Sequence, residues 1–389
     1  MAPARRGVRL PGSMIDRVRV RVGGALGRAG EIVAGPRHAP APDRPLRVLV
    51  WRGMARLATQ SGIGEAIRHQ EKAVAALGHE VVRNPLRSFD VIHLNTPFPD
   101  TPLVARLAHL RGRPVMMWAH STEEDFRDSF TGANAIAPWF RRWIASIYRQ
   151  GDAVLTPTAY SRSLVVQRKY GIRRIIHVLS NGVDTSFFAP DPSSRAALRE
   201  RLGLAPDAPV VVSVGIQMVR KGILDWVEVA RRLPHVTFVW YGHTDPRMVT
   251  KDVAAAVASA PSNCVFPGYV KPAVLREAYC GADAFCFLTK EETEGIVLLE
   301  ALACGAPVIV RDIPIYRDWL PDGEVTHMVR GAGSAFIDDV VARIEALLAG
   351  ELPDLTGAGR RAAEAVDLAR VAERLQAIYD AEGVRPLGR

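Results

Sequence analysis

The sequence is poor in lysine and cysteine and has no long apolar run. Only six of its 50 basic residues are lysines. No stretch approaches the roughly 18 apolar residues of a membrane-spanning helix. The N-terminus contains arginines but lacks the apolar segment of a signal peptide, so we expect none. Four cysteines in apolar contexts, with no CxxC pair, favour reduced core thiols of a cytoplasmic protein: Cys264, Cys280, Cys286 and Cys304.

Motifs of several enzyme classes are also absent. The sequence contains no Asp-x-Asp, no His, Cys and Asp cluster with metal-ligand spacing, no GxSxG and no Walker loop. It therefore gives no support to a hydrolase, a kinase or a resident metal. The stretch "SGIGEAI" has Gly62 and Gly64, but Ile67 stands where a dinucleotide fingerprint has its third glycine. This argues against a nicotinamide enzyme, although glycines ahead of a helix suit an anion.

The net charge of +9 is concentrated at one end of the chain. Residues 1–44 contain nine arginines and three acidic residues, a net charge of +6, and are rich in proline and glycine. We expect a flexible basic extension or a segment that contacts an anionic surface. No nucleic-acid-binding motif accompanies it, so nucleic acid is not an expected partner.

The remaining sequence predicts two α/β domains. At 389 residues the chain exceeds the size at which single cores stop growing. Short apolar strands alternate with helical patterns from Pro45 onward: "LRVLVW", "HEVVR", "FDVIHLN", "PVMMWAH" and "DAVLTPT". The alternation restarts at "VVVSVG" and continues through "HVTFVWYG", "CVFPGYV", "DAFCFLT" and "APVIVRD". Nearly continuous apolar strands indicate parallel sheets covered on both faces. We predict two doubly wound, Rossmann-like domains facing a cleft, with their boundary in "SNGVDTSFFAPDPSS", residues 180–194.

One loop and the helix after it carry the strongest functional signal. In "LTKEETEGIVLLEALACGAPVIV", Gly295 precedes a predicted helix, whose N-terminus suits a phosphate. Glu300 lies five residues later, ~7.5 Å along the helix axis, where it could accept hydrogen bonds from a ribose. Glu292 precedes the helix, where a donor sugar would lie. The alternative interpretation is that Glu300 is a partly exposed helix residue and Glu292 a solvated loop acid.

Two further loops follow predicted strands. Arg220 and Lys221 lie between a strand and a helix in "VSVGIQMVRKGILDW", where two cations could hold a diphosphate, or could simply be surface residues. His120 ends the strand "PVMMWAH" and could bind a sugar hydroxyl or transfer a proton, unless it is only a hydrogen-bonded histidine at a strand end. Ser121 and Glu124 fit a capping box for the helix that follows.

Together these residues resemble glycosyltransferase family 4, whose members have the GT-B fold. The most specific element is Glu292-x7-Glu300, supported in the family's order by "SGIG", "SNGVD", "VRKG" and "VFPGYV". The resemblance implies transfer of a sugar from a nucleotide-sugar, with retention at the anomeric carbon and without an obligatory metal or other cofactor. It also implies domains at 45–187 and 188–367, with a last helix, about 368–389, returning to the first domain.

By motif position, the resemblance assigns a role to each candidate residue. Lys221, with Arg220, holds the donor phosphates. Glu292 and His120 contact the donor sugar, and Glu300 binds the ribose. The backbone of three residues lies beside the diphosphate and sugar: Gly295, Ile296 and Val297. The catalytic candidates are Lys221, Glu292 and His120. Further donor-binding candidates are Gly62 and Gly64.

The sequence departs from the family pattern in places. Ile216 stands where an arginine is frequent, and Arg220 is the candidate substitute. The frequent "EPFG" is "ETEG" here. With "HSTEEDFRDSF", "SNGVDTSFF" and "RDIPIYRDWL", this variant looks like the branch that glycosylates diacylglycerol-type lipids in Gram-positive bacteria. UDP-hexose is the expected donor and GDP-mannose the alternative. No enzyme nucleophile is apparent, which favours a front-face reaction over a double displacement.

A basic aromatic segment suggests where such an enzyme could meet a membrane. In "APWFRRWIASIYRQ" large side chains recur every fourth residue in two rows: Trp139, Trp143 and Ile147, and Phe140, Ile144 and Tyr148. Two arginines, Arg141 and Arg142, lie between them. This pattern is typical of an interfacial helix, and also of a core helix whose arginines reach to solvent. We expect a cytoplasmic protein, peripheral to the membrane if its acceptor is a lipid. A soluble or polymeric glycan acceptor, or a non-catalytic nucleotide-sugar-binding protein, are the alternatives.

Overall fold

The computed structural model describes residues 44–54, 62–167 and 170–387. The basic extension predicted for residues 1–44 therefore lies outside the described residues, except for Arg44. That arginine donates from Nη1 to Asp90 Oδ2 at 2.7 Å. Within these ranges all four cysteines are free, and Cys286 and Cys304 are buried.

The first sheet has six parallel strands in the described part of the chain, in the order β2-β1-β3-β4-β5-β6. Its strands are β1 Arg47–Val50, β2 Glu80–Val82, β3 Val91–Leu94, β4 Val115–Trp118, β5 Ala153–Thr156 and β6 Ile176–Val178. Its helices are α1 Gly62–Ala76, α2 Asp100–Leu110, α3 Glu123–Phe126, α4 Ala133–Tyr148 and α5 Ala159–Gln167. The central strands are buried along their whole length because helices cover both faces.

The second sheet also has six parallel strands among the described residues, in the order β12-β11-β10-β7-β8-β9. Its strands are β7 Val210–Val214, β8 Thr237–Tyr241, β9 Cys264–Gly268, β10 Ala284–Phe287, β11 Val308–Arg311 and β12 His327–Val329. Helices α6 to α14 accompany it: α6 Ser194–Leu202, α7 Ile223–Arg232, α8 Lys251–Ala258, α9 Pro272–Gly281, α10 Ile296–Ala303, α11 Pro314–Arg317, α12 Gly333–Leu348, α13 Thr356–Glu364 and α14 Leu368–Ala381. The predicted pair of Rossmann-like domains is confirmed.

Helix α14 crosses back to the first domain, as predicted. Val371, Leu375 and Tyr379 pack into the core formed by β1 and α1. The Tyr379 hydroxyl lies 2.7 Å from Nε2 of His93 on β3. Because α14 follows the second domain and packs on the first, it links the two domains.

Three local predictions were incomplete or wrong. The prediction missed β6 and β12, which are only three residues long. The N-cap of α3 is Thr122, not Ser121: Thr122 Oγ1 accepts from the Asp125 N–H at 3.1 Å. The backbone of Ser121 is held instead by the Tyr148 hydroxyl, so the loop continues for one more residue. Gly62 and Gly64 lie inside the first turn of α1 rather than before it.

The order of the strands determines where a ligand can bind. In each sheet the strand order reverses direction, between β1 and β3 in the first and between β7 and β10 in the second. Loops after such neighbouring strands diverge to opposite faces and leave a crevice at the carboxyl edge. All the loops singled out from the sequence, after β1, β4, β7 and β10, leave their sheets at these edges.

Candidate active site

A cleft of about 320 Å³ lies where the two carboxyl edges face each other. Its size is at the lower end of the range of small-molecule sites. Helix α1 and the β4–α3 loop line it from the first domain, and the loops after β7, β8, β9 and β10 line it from the second. Apart from Gly64, every predicted donor-binding and catalytic residue lines this cleft. Gly64 is buried within α1 and does not line the cleft.

A buried ion pair lies at the centre of the second domain's wall. Lys221 Nζ donates to Glu292 Oε1 at 2.5 Å, and the Thr289 hydroxyl donates to the same oxygen at 2.9 Å. Burial alone would raise the pKa of Glu292, but the charges of Lys221 and Arg220 outweigh it and hold that pKa below its ordinary value. Glu292 is 5% exposed. The interpretation of Glu292 as a solvated loop acid is therefore wrong.

The turn that carries Lys221 depends on a glycine. Residues 219–221 form a single 3-10 turn that ends at Gly222, which has a φ of +79°. A Cβ at Gly222 would lie 2.2 Å from the carbonyl oxygen of Leu288, so only glycine lets the turn after β7 pack on the strand β10. This close approach brings the Lys221 turn and the Glu292 loop together.

Helix α10 begins beside this pair at Gly295, which has a φ of +96°. The first N–H groups of any α-helix lack intrahelical acceptors, so those of Ile296 and Val297 are available to an anion at the cleft. Glu300 follows on the same helix and is also 5% exposed, so the interpretation as a partly exposed residue is wrong too. It accepts from the Tyr279 hydroxyl at 2.9 Å. Burial, reinforced by the nearby Glu65 carboxylate, raises the pKa of Glu300 to about 7.

Around His120 the first domain's wall has a buried amide network. His120 Nε2 lies 3.0 Å from Asn95 Oδ1. Asn95 also exchanges hydrogen bonds of 2.6 and 3.1 Å with the side-chain amide of Gln70. In this arrangement Asn95 Oδ1 is an acceptor, so Nε2 of His120 carries the proton. Burial lowers the pKa of His120 to about 4, which keeps the imidazole neutral at physiological pH.

Helix α1 adds charges to the cleft that the sequence did not lead us to expect. Glu65 accepts from Arg68 and faces His69, and it lines the cleft with Arg68. Burial would raise the pKa of Glu65, but hydrogen bonds from His69 and Arg68 lower it to about 2. Their spacing one turn apart, directly after the glycines of "SGIG", is the signal that could have indicated them.

A chain of contacts links α1 to the donor loop through the segment between the domains. His69 Nδ1 lies 3.1 and 3.0 Å from the carbonyl oxygens of Asn181 and Gly182. Asn181 donates from its backbone N–H and its side-chain amide to Glu294 Oε2, at 3.0 and 2.7 Å. Glu294 belongs to the "ETEG" variant noted in the sequence, so this departure from the family pattern has a structural role at the domain boundary.

The candidate membrane segment forms part of α4, away from the cleft. Trp139 is 69% and Trp143 40% exposed, whereas Ile147 is buried. The Arg142 guanidinium lies over the Trp139 ring at 5.1 Å. The inner face of α4 is therefore core, as one interpretation expected, but the tryptophans are not part of it.

Two other residues of this segment contact α3. Phe140 stacks on Phe126, with ring centroids 3.9 Å apart, and Arg141 pairs with Glu123 at 3.2 Å. These contacts attach α4 to the loop that carries His120. Among the described residues, no helix is both long enough and apolar enough to cross a membrane.

Comparison with known proteins identifies similar chains. Residues 194–363 match the family model "Glycosyl transferases group 1", and residues 32–187 match "Glycosyltransferase Family 4". A processive diacylglycerol alpha-glucosyltransferase of Acholeplasma laidlawii is 36% identical over 299 residues, which cover 77% of this chain and 88% of that protein. An alpha-galactosylglucosyldiacylglycerol synthase of Streptococcus pneumoniae is 32% identical over 183 residues, covering 46% of this chain and 48% of that protein, about half its length.

The fold has solved counterparts. The structure of HepE from Anabaena, in complex with UDP and glucose, superimposes with a TM-score of 0.68 at 15% identity. The match covers 86% of this chain and all of that one. At this level of identity the likeness concerns the arrangement of the two domains and nothing finer.

Proposed function

This chain belongs to glycosyltransferase family 4, and we propose that it transfers a hexose from a nucleotide-sugar to a diacylglycerol-type lipid with retention at the anomeric carbon. The observation that carries the proposal is the wall formed by Lys221, Glu292 and helix α10. It combines the buried cation of Lys221, the unpaired N–H groups at the start of α10 and a second carboxylate, Glu300, further along that helix. In a nucleotide-sugar the diphosphate lies between the sugar and the ribose, which matches cationic and N–H groups placed between the two carboxylates.

Each part of the donor has a matching group. Lys221, Arg220 and the first N–H groups of α10 offset the charge of the diphosphate. Glu300, ~7.5 Å further along the axis, accepts from the two ribose hydroxyls. Glu292 and His120 hold the sugar from opposite walls of the cleft. His120 is neutral, so it can donate to or accept from a sugar hydroxyl without adding charge.

The reaction that fits these roles is a front-face displacement. The bond between the anomeric carbon and the phosphate oxygen breaks, with its electron pair moving to the diphosphate, while the acceptor oxygen bonds from the same face. Glu292 is held by Lys221 and Thr289, which suits binding better than nucleophilic attack. Stabilisation of the leaving diphosphate by fixed positive groups is then the main catalytic contribution.

The acceptor and the donor are tested together. Radiolabelled UDP-glucose or GDP-mannose is incubated with diacylglycerol in mixed micelles, and the lipids are resolved by thin-layer chromatography. We expect label from UDP-glucose in a glycolipid spot, since the Acholeplasma relative is named as a glucosyltransferase acting on diacylglycerol. Labelling of soluble glycans alone would favour the alternative acceptor, and donor binding without turnover would favour a non-catalytic protein.

We propose that turnover needs no divalent metal, because the cleft already provides cationic groups for the diphosphate. The same assay in excess EDTA should retain its rate. An absolute requirement for Mn²⁺ or Mg²⁺ would contradict this part of the proposal and would reassign the charge-neutralising role from Lys221 and Arg220 to the ion.

We propose that the first domain docks on the cytoplasmic face of an anionic membrane through the outer face of α4 and the basic N-terminal extension. Removing residues 1–43 should weaken binding to phosphatidylglycerol-containing vesicles mainly at low salt, because each arginine contributes about 1 kcal/mol that salt screens. Changing Trp139 and Trp143 to serine should weaken binding at every salt concentration. The matched control is Met248→Ser, because Met248 is an exposed apolar residue of the second domain. Unchanged vesicle binding by a folded double variant would exclude α4 as the docking surface.

A further inference from the structure

The two domains meet at Arg220, through α3 and the loop that follows it. Arg220 Nη1 lies 3.0 Å from Asp125 Oδ1. The Arg220 backbone N–H donates to the carbonyl of Asp128 at 3.2 Å, and its Nε donates to the Ser129 hydroxyl at 3.4 Å. Arg220, which we expected only to hold the donor phosphates, thus also contacts the first domain.

Asp125 is placed as a cleft residue rather than as a surface acid. It lines the cleft, and its side chain is 22% exposed. Its backbone N–H donates to Thr122 Oγ1, which fixes the position of the residue on α3. Its Oδ1 faces Arg220, while Oδ2 receives no hydrogen bond from the residues that the structure describes. The neighbouring Glu123 differs, since both of its oxygens face arginines, Arg127 at 2.6 Å and Arg141 at 3.2 Å.

A carboxylate in this position needs a chemical explanation. It lies beside the cations that would hold the diphosphate, where a second negative charge opposes donor binding. Arg220 offsets that charge, so the arrangement keeps an ionised oxygen in the cleft next to the leaving group. Asp125 comes from the domain opposite Lys221 and Glu292, and on α3 it follows His120 by five residues. Burial raises the pKa of Asp125, which makes the carboxylate a better proton acceptor.

We propose that Asp125 binds the attacking hydroxyl of the acceptor and accepts its proton. This inference rests on the proposed glycosyl transfer. As the acceptor oxygen bonds to the anomeric carbon, the bond to the phosphate oxygen breaks and its electron pair leaves with the diphosphate. The hydroxyl proton passes to Oδ2 of Asp125 and is then released to solvent through the cleft. Oδ1 stays on Arg220, which keeps the carboxylate in position throughout the step.

The test compares Asp125→Asn with Ser129→Ala, which removes a different contact of the same arginine. Asp125→Asn should lower kcat/KM for diacylglycerol by about 10²- to 10⁴-fold, the range for loss of a general base. The calorimetric Kd for UDP should rise by no more than a factor of about two, since no base acts in binding and the substitution removes a negative charge beside the diphosphate. Ser129→Ala should leave both quantities within the same factor. Asp125→Glu should recover part of the rate, and with saturating donor the acid limb of the pH profile should be shallower in Asp125→Asn than in the wild type.

Two results would overturn the assignment. Equal loss of UDP affinity and of rate in Asp125→Asn, with a similar smaller loss in Ser129→Ala, would make Asp125 only a link between the domains. Wild-type rates in Asp125→Asn would remove any role. If the wild-type enzyme hydrolyses UDP-glucose but labels no diacylglycerol, the lipid acceptor is wrong, and hydrolysis then tests Asp125 with water as acceptor. Unchanged hydrolysis in Asp125→Asn would contradict the inference in that case.

Discussion

The two walls of the cleft use different chemistry for similar degrees of burial. The second domain presents a charged pair, Lys221 and Glu292, in direct contact at 2.5 Å. The first domain is neutral around His120, which the Asn95 and Gln70 amides hold, although α1 and α3 of that domain also bring charged side chains to the cleft. A charged wall can bind a diphosphate strongly, whereas a neutral wall can orient hydroxyls without competing for that anion. Under the proposed function, this contrast predicts that one domain determines the affinity for the donor and that the other orients the sugar.

Removing Lys221, the buried cation, should have the largest effect on the difference between the two walls. Lys221→Ala should lower turnover by at least about 10²-fold, because it removes a charge that stabilises the leaving group and leaves Glu292 buried without its partner. Steady-state rates with UDP-glucose would measure this. The matched control is Lys251→Ala, because Lys251 is an exposed lysine of α8. Its rate should be close to that of the wild type. A Lys221→Ala enzyme with at least half of the wild-type rate would contradict the assignment.

Glu300 should show its effect in donor binding and in pH dependence. Replacing it by glutamine weakens hydrogen bonds to a charged acceptor, ~1.5 kcal/mol, so the donor KM should rise about tenfold with a smaller change in kcat. The pKa of Glu300 is raised to about 7, and ribose hydroxyls bind the ionised form. The donor KM of the wild-type enzyme should therefore rise as the pH falls through 7 and level off above it.

The control for this pH dependence lies in the variant itself. Glu291 and Glu294 also have pKa values raised to about 7 by burial, so they contribute their own slopes. Only the part of the slope that disappears in Glu300→Gln belongs to Glu300. Identical KM profiles for the wild type and the variant would show that Glu300 does not contact the donor.

The smallest effect is expected on the neutral wall. Asn95→Ala removes the acceptor that orients His120, a loss of ~1 kcal/mol, or about fivefold in kcat. Donor affinity should not change, because no charge is lost. Gln70→Glu would put a carboxylate into the same network and should lower the rate further. A large loss of UDP affinity in Asn95→Ala would remove the distinction between the walls.

The same contrast explains which parts of the site could be predicted. Glu292, Gly295 and Glu300 lie within nine residues of one loop and helix, and the helical rise fixes the spacing between Gly295 and Glu300. Asp125 and Asn181 act through partners about 95 and 113 residues away, Arg220 and Glu294. No local pattern indicates such contacts, because they form only when the two sheets face each other.

The fold shows the same limit. Ten of the twelve strands in the described residues were predicted, including the edge strands β2 and β9, whereas β6 was not, because its three partly exposed residues leave little apolar pattern. The cap of α3 was misplaced by one residue because the Tyr148 hydroxyl, from a helix later in the chain, holds Ser121. Local sequence therefore indicates features within one loop and helix, whereas contacts between the two domains need the folded chain.

Calorimetric binding of UDP to three proteins tests the division between the walls most directly. The account predicts that Lys221→Ala raises the Kd for UDP at least about tenfold over the wild type, ~1.4 kcal/mol, while Asn95→Ala leaves it within a factor of about two. The opposite pattern, with UDP binding intact in Lys221→Ala and weakened in Asn95→Ala, would contradict the claim that the second domain's charged wall holds the donor.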